Sequence, residues 1–84
     1  SIWSDCEIKN LKDRPAKKKV RLFGIVATHR EIITKRGTRM AFLQFEDLSG
    51  QVELIVFPDV YANAEALIKM DVPILITGTL EKDG

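Results

Sequence analysis

Side chains suited to catalysis or metal binding are scarce in this sequence. One cysteine, Cys6, and one histidine, His29, occur among the 84 residues, whereas a zinc site needs several such ligands within reach. Glu46 and Asp47 are adjacent, so on a strand their carboxylates would point to opposite faces and could not share an ion or a substrate. No serine has a nearby base of the kind that a nucleophile requires. We therefore predict no catalytic residue, no metal site and no cofactor, and expect the chain not to be an enzyme by itself.

Long apolar runs are also absent. No run approaches the roughly 20 residues that span a bilayer, and the N-terminus has no apolar core suited to a secretory signal. A single cysteine excludes an intrachain disulfide, which fits a reducing compartment. At 84 residues the chain is at most one domain. These features predict a cytoplasmic domain with no membrane partner.

Charge is distributed unevenly although the net charge is only +1. Residues 1–40 hold eleven Lys and Arg against four Asp and Glu, and residues 41–84 hold two against eight. This asymmetry predicts a basic surface near the first strands and an acidic one elsewhere. The alternative is that two solvated faces neutralise each other.

Runs of β-branched and aromatic residues predict four strands, at residues 20–33, 39–46, 51–57 and 74–80. Gly24 lies inside the first run, where a glycine predicts a bend that swings the chain from one sheet face to another. Pro58 and Asp59 predict the start of a helix, with Asp59 as its N-cap. The apolar positions at helical spacing in this helix are Val60, Ala64, Leu67 and Ile68.

The second and third strands each alternate between two faces. The uniformly apolar face, predicted to form the core, carries Ala41, Leu43 and Phe45 on the second strand and Val52, Leu54 and Val56 on the third. The other face of the second strand carries Met40, Phe42, Gln44 and Glu46.

This order of elements predicts an all-β chain with the OB fold. That fold is a Greek-key barrel, here with one short helix between the third and fourth strands and with the fifth strand truncated. Asp83 and Gly84 give a hairpin signal after the fourth strand. Residues 1–19 are predicted to be a linker from a preceding domain, and residues 20–84 an OB-fold domain that is incomplete at its C-terminus.

A barrel without its fifth strand would expose the edges of residues 51–57 and 74–80, and exposed edges recruit other chains. Two repairs are open. Residues 2–11 fold back over the gap and bring Trp3 with them, or two chains pair edge to edge. We favour the second, because residues 4–19 are strongly charged and poorly patterned for a strand.

The remaining polar and aromatic residues suit single-stranded nucleic acid. The predicted cations, at the end of the first hairpin, are Arg30, Lys35, Arg36 and Arg39. Phe42 and Gln44 share the non-core face of the second strand, and Glu53 faces the same way on the third. Cations neutralise phosphates, an aromatic ring stacks a base, and amide or carboxylate groups bond base edges. The alternative is a buried Phe42 beside an ordinary solvated turn.

Four segments, residues 34–43, 45–50, 56–61 and 78–84, resemble the OB domain of bacterial DNA polymerase III alpha subunits. The wider family is the anticodon-binding OB module of class II aminoacyl-tRNA synthetases. In those modules a first-strand Arg, a second-strand Phe and a third-strand Gln meet the bases. The corresponding positions here are Arg30, Phe42 and Glu53, and the Glu departs from that pattern.

The resemblance implies a non-catalytic module of a DNA-directed DNA polymerase that holds single-stranded template DNA. Its partners would also include other polymerase domains and replisome subunits. Two alternatives stay open: an RNA-binding anticodon module of a synthetase, and an OB module that contacts proteins.

Overall fold

A computed structural model describes residues 4–82 as a curled antiparallel sheet with one α-helix. The elements are a 3-10 helix (Ile8–Asp13), β1 (Lys19–Ile33), β2 (Arg39–Asp47), β3 (Gly50–Val56), α1 (Pro58–Ile68) and β4 (Ile74–Thr79). The strands lie in the order β3-β2-β1-β4. The predicted order of four strands, with a helix before the last, is confirmed. No helix among the described residues is long and apolar enough to cross a membrane.

β1 belongs to both halves of the sheet, and Gly24 is the joint between them. Gly24 is the last β1 residue that pairs with β4, opposite Ile74, and the next residue, Ile25, pairs with Glu46 of β2. A Cβ at position 24 would overlap the backbone carbonyl of Glu46, so only glycine fits this close crossing. The bend predicted at Gly24 is confirmed.

The core consists of two clusters that line the inner face of the sheet. The first contains Val20, Leu22, Phe45 and Ile74, together with Ile8 and Leu11 from the 3-10 helix. The second contains Ala41 and Leu43 of β2 with Tyr61 and Ile68 of α1. The predicted inward face of β2 is therefore confirmed, because its three apolar residues are all buried.

The 3-10 helix is attached to the β2–β3 turn as well as to the core. The Ile8 amide donates to Asp47 Oδ2 at 2.9 Å, and the Lys9 amide donates to Ser49 Oγ at 3.0 Å. Burial alone would raise the pKa of Asp47, but hydrogen bonds from Ser49, Ile8 and Gly50 outweigh it and hold that pKa below its usual value. The N-terminal segment therefore folds back onto the sheet through Ile8 and Leu11, as in the first of the two predicted repairs, which we did not favour. Trp3 and the turn at residues 83–84 lie outside the described residues, and the role of residues 1–19 as an interdomain linker stays a prediction.

The apolar stripe of α1 differs from the predicted one. The residues that face the sheet are Tyr61, Ala64, Glu65 and Ile68, whereas Val60 and Leu67 are exposed. The predicted N-cap at Asp59 is wrong as well, because the helix begins at Pro58 with Phe57 as its N-cap. The helix is rotated so that Tyr61 faces the sheet, because the Tyr61 hydroxyl forms hydrogen bonds with His29 and Glu31 on β1.

Candidate nucleic-acid interface

The surface of β1–β3 opposite the core carries four of the seven predicted site residues, and we call it the outer face. Register aligns Arg30 with Phe42, and Phe42 with Ile55, in one row across three strands. The next row places Gln44 opposite Glu53. The outer face therefore brings together Arg30, Phe42, Gln44 and Glu53, as the strand alternation predicts.

Arg30 and Phe42 form a stacked pair. The guanidinium carbon of Arg30 lies 4.9 Å from the ring centroid of Phe42, within the range of a cation–π contact. Phe42 is half-buried and Arg30 is exposed. Within residues 4–82, Arg30 makes no ion pair, so its charge is available to a ligand.

The β1–β2 turn, at the end of the first hairpin, holds Lys35 and Arg36. Gly37 adopts a φ of 85°, which only glycine takes up readily. The Thr34 amide donates to the Thr38 carbonyl at 2.8 Å, and the two threonine hydroxyls are 2.6 Å apart. In the part of the chain that the structure describes, neither Lys35 nor Arg36 forms an ion pair, and both are exposed.

A sequence model of the OB-fold nucleic acid binding domain, the tRNA anticodon type, matches residues 20–84. The chain belongs to this OB-fold family. The fold class predicted from the order of strands and helix is therefore confirmed. The predicted resemblance to DNA polymerase III alpha subunits is confirmed by the similar proteins described next.

Three similar proteins are each named DNA polymerase III subunit alpha. That of Thermus aquaticus is 31% identical over 83 residues, which cover 94% of this chain and 7% of the relative. That of Aquifex aeolicus is 32% identical over 76 residues, or 90% and 6%. That of Neisseria meningitidis serogroup A is 39% identical over 64 residues, or 76% and 6%. The OB-fold domain thus spans about one fifteenth of the length of these relatives.

Arg39, a predicted site residue, lies on the face of β2 that packs against α1 and not on the outer face. Its position alternates with Phe42, so it lies on the helix side of β2 together with Ala41. Two guanidinium nitrogens donate to the Glu65 carboxylate at 2.8 and 2.6 Å, and one also donates to Glu31 at 3.1 Å. Its charge is therefore compensated, and we leave Arg39 out of the outer face.

Arg39 belongs to a polar network between β1 and α1. Tyr61 is 1% exposed, and its hydroxyl donates to Glu31 at 2.8 Å. The hydroxyl therefore accepts from His29 Nε2, also at 2.8 Å, which assigns the ring proton to that nitrogen. Burial, followed by the hydrogen bond to Glu31, raises the pKa of Tyr61 to about 12.

Glu65 is the acidic end of this network. The hydrogen bond from Arg39, and then the one from Lys69, lower the pKa of Glu65 to about 2. The Glu65 carboxylate therefore stays charged across the physiological range. Through Arg39 it connects the turn end of the first hairpin to α1.

Two exposed apolar residues of β3 and its C-terminal end are not among the predicted site residues. Ile55, beside Phe42, is 48% exposed, and Phe57 is 59% exposed just beyond the end of β3. The alternation of β3 already directs Ile55 outward, together with Gln51 and Glu53, and the same alternation extended past Val56 would have added Phe57. Within the described residues no group of three or more His, Cys, Asp or Glu side chains has an arrangement that could hold a metal ion. The expected absence of catalytic residues, metal and cofactor stays a prediction.

Proposed function

We propose that this OB-fold domain binds single-stranded DNA on its outer face and has no catalytic activity by itself. The observation that carries the proposal is the Arg30–Phe42 pair in one row with exposed Ile55, beside the uncompensated cations Lys35 and Arg36. Phe42 and Ile55 offer a surface on which a base can stack. Arg30 lies on β1 beside that surface, and Lys35 and Arg36 lie in the turn that follows β1, where the three cations would neutralise phosphates.

The charge arrangement orients the bound strand. Arg30, Lys35 and Arg36 lie on β1 and on the turn that follows it, whereas Glu53 lies on β3. Phosphates are attracted to the first group and repelled by the carboxylate, so the backbone would follow the β1 side with its bases directed across Phe42 towards β3. Gln44 and Glu53 would then meet base edges rather than phosphates.

We further propose that the domain is part of a bacterial DNA polymerase III alpha subunit, a DNA-directed DNA polymerase that works in the cytoplasm. The support is that relatives with that name match most of this chain while the chain covers only 6–7% of them. In that setting the bound strand is the template, and the partners are neighbouring polymerase domains and replisome subunits. Nucleotidyl transfer would belong to other parts of the polymerase.

A second candidate function, contact with another protein, is favoured by one apolar surface. Phe23 and Leu75 pair across β1 and β4, and Ile25 follows on the same face of β1. These three residues, which we call the β1–β4 patch, are 39–49% exposed. A neighbouring polymerase domain would bury such a patch. Charged variants of the patch that leave DNA affinity intact but weaken the polymerase assembly would separate this function from the first.

The edge-to-edge dimer of this chain stays a proposal. Within residues 4–82, β3 and β4 each pair with one strand only, and unpaired edges invite a second copy. Sedimentation equilibrium at micromolar concentration tests this, and a clean monomer would contradict it.

A titration tests DNA binding directly. Fluorescence anisotropy of a labelled single-stranded DNA oligomer should show binding that weakens with salt. Three neutralised phosphates predict a slope of about −2 in a plot of log K against log salt concentration. A tRNA anticodon stem-loop should bind more weakly, and tighter binding of the stem-loop would favour the synthetase-like alternative. Absence of salt-dependent binding to either would contradict the proposal and leave protein contact as the function.

A further inference from the structure

Two polar side chains on the outer face have no partner of their own. Gln44 and Glu53 face each other across β2 and β3, directly beside the row that contains Phe42 and Ile55. Within residues 4–82, neither side chain makes a hydrogen bond or an ion pair, and Glu53 is exposed. A base stacked on Phe42 would therefore have these two groups at its edge.

The neighbouring carboxylate is already engaged. Glu46 lies one row further along β2, opposite Gln51, and Gln51 Nε2 donates to Glu46 Oε2 at 2.8 Å. Glu53 is thus the carboxylate on this face that is closest to Phe42 and free to accept hydrogen bonds from a ligand.

An ionised carboxylate accepts hydrogen bonds and donates none. Cytosine, adenine and guanine each carry an exocyclic amino group that can donate to it. Thymine and uracil carry a carbonyl oxygen in place of that group, and their N3–H donor lies between two carbonyl oxygens, which a carboxylate repels. A glutamine at the same place could donate or accept and would tolerate either kind of base.

We propose that Glu53 makes this domain select bases with an exocyclic amino group over thymine and uracil. Gln44 acts beside it, where its amide can donate to a carbonyl or ring nitrogen of the same base. This inference rests on the proposed DNA-binding function and adds base selectivity to it.

The test compares two oligomers whose bases differ only at the exocyclic group on C4 and in the proton on N3. Single-stranded oligodeoxycytidine and oligodeoxyuridine of about 12 nucleotides, within the range of OB-fold site sizes, have equal charge and ring size. In anisotropy titrations of the whole chain we expect about fivefold tighter binding of the cytidine oligomer, the low end of the range for a base-edge contact. Glu53→Gln should bring the ratio of the two affinities close to one.

The ratio is the readout because Glu53→Gln also removes a negative charge and strengthens binding to any polyanion. Glu46→Gln is the matched control: it removes the same charge from the same face and should leave the ratio unchanged. Equal binding of both oligomers by the unmodified chain would overturn the selectivity and leave DNA binding intact. A ratio that changes with Glu46→Gln but not with Glu53→Gln would also overturn it. Absence of binding to both oligomers would overturn the proposed function, and the selectivity with it.

Discussion

The two faces of the first hairpin use the same kinds of residue for different purposes. On the outer face, Arg30 lies 4.9 Å from the ring centroid of Phe42; on the helix side, Arg39 lies 5.8 Å from that of Tyr61. In the second pair, Glu31 and Glu65 compensate the charge of Arg39, and the Tyr61 phenol is buried. In the first pair, no acid within residues 4–82 forms an ion pair with Arg30. The Arg39–Tyr61 pair is thus part of a hydrogen-bonded network between β1 and α1, whereas the Arg30–Phe42 pair is the one that we propose as a binding surface.

The largest expected difference between the two faces is in stability. Tyr61→Ala should lower the free energy of unfolding by about 3–5 kcal/mol, the range for truncating a buried aromatic side chain. Phe42→Ala should cost much less, because Phe42 is only half-buried and lies outside both core clusters. Urea denaturation of the two variants measures this. Equal destabilisation would mean that Phe42 is a core residue and would remove the proposed binding surface from the outer face.

Binding should show the opposite order. Phe42→Ala should weaken the affinity for a single-stranded oligomer by about 1–3 kcal/mol, because a stacking surface is lost. Phe42→Trp keeps an aromatic surface and should retain most of the affinity, so it serves as the control in the same anisotropy assay. Unchanged affinity in a folded Phe42→Ala variant would place the bound strand elsewhere.

The two arginines in and beside the turn should differ in salt dependence. Arg36→Ala should flatten the salt slope by about 0.7–1, since one phosphate contact is lost. Arg39→Ala should leave the slope unchanged, because the Arg39 charge is held by Glu65 and Glu31. Arg36→Lys keeps the charge and should keep the slope. A flattened slope in Arg39→Ala would return Arg39 to the binding surface.

Acid should weaken the helix-side network by protonating Glu65. The pKa of Glu65 is lowered from 4.5 to about 2 in the folded chain. A lowered folded pKa means that the stabilisation is complete above about pH 4.5 and is lost as the pH falls towards 2. Urea midpoints measured between pH 2 and pH 5 should fall less steeply in Glu65→Gln than in the parent. Phe42→Ala should keep the parent slope, and the same slope in all three chains would contradict this assignment.

Period-two patterning allowed most of the sheet to be predicted. The alternation of β2 and β3 separates core from outer face, and Gly24 marks the bend in β1. Proximity in sequence groups Arg39 with Arg36. Arg39 is three residues from Phe42 on β2, however, so its side chain lies on the opposite face, towards α1. That alternation was visible in the sequence and would have excluded it from the outer face.

Long-range partners account for what local pattern could not predict. The stripe of α1 includes Tyr61, whose partners His29 and Glu31 are about thirty residues earlier in the chain. The 3-10 helix presents Ile8 and Leu11 three residues apart, and one short turn shows no sustained period. Its place is determined by the core and by the Asp47 turn.

The fastening of Arg39 to α1 bears on the entropy of binding. The Arg39–Glu65 ion pair holds the start of β2, directly beside the turn, and the Thr34–Thr38 hydrogen bonds close the turn itself. Ordering a backbone residue costs roughly 1–2 kcal/mol, and here that cost is met when the chain folds. A DNA strand that arrives at Lys35 and Arg36 has only their side-chain rotamers left to restrict. A substitution that breaks the Arg39–Glu65 ion pair and makes the turn more mobile would therefore weaken the proposed DNA binding without removing any phosphate contact.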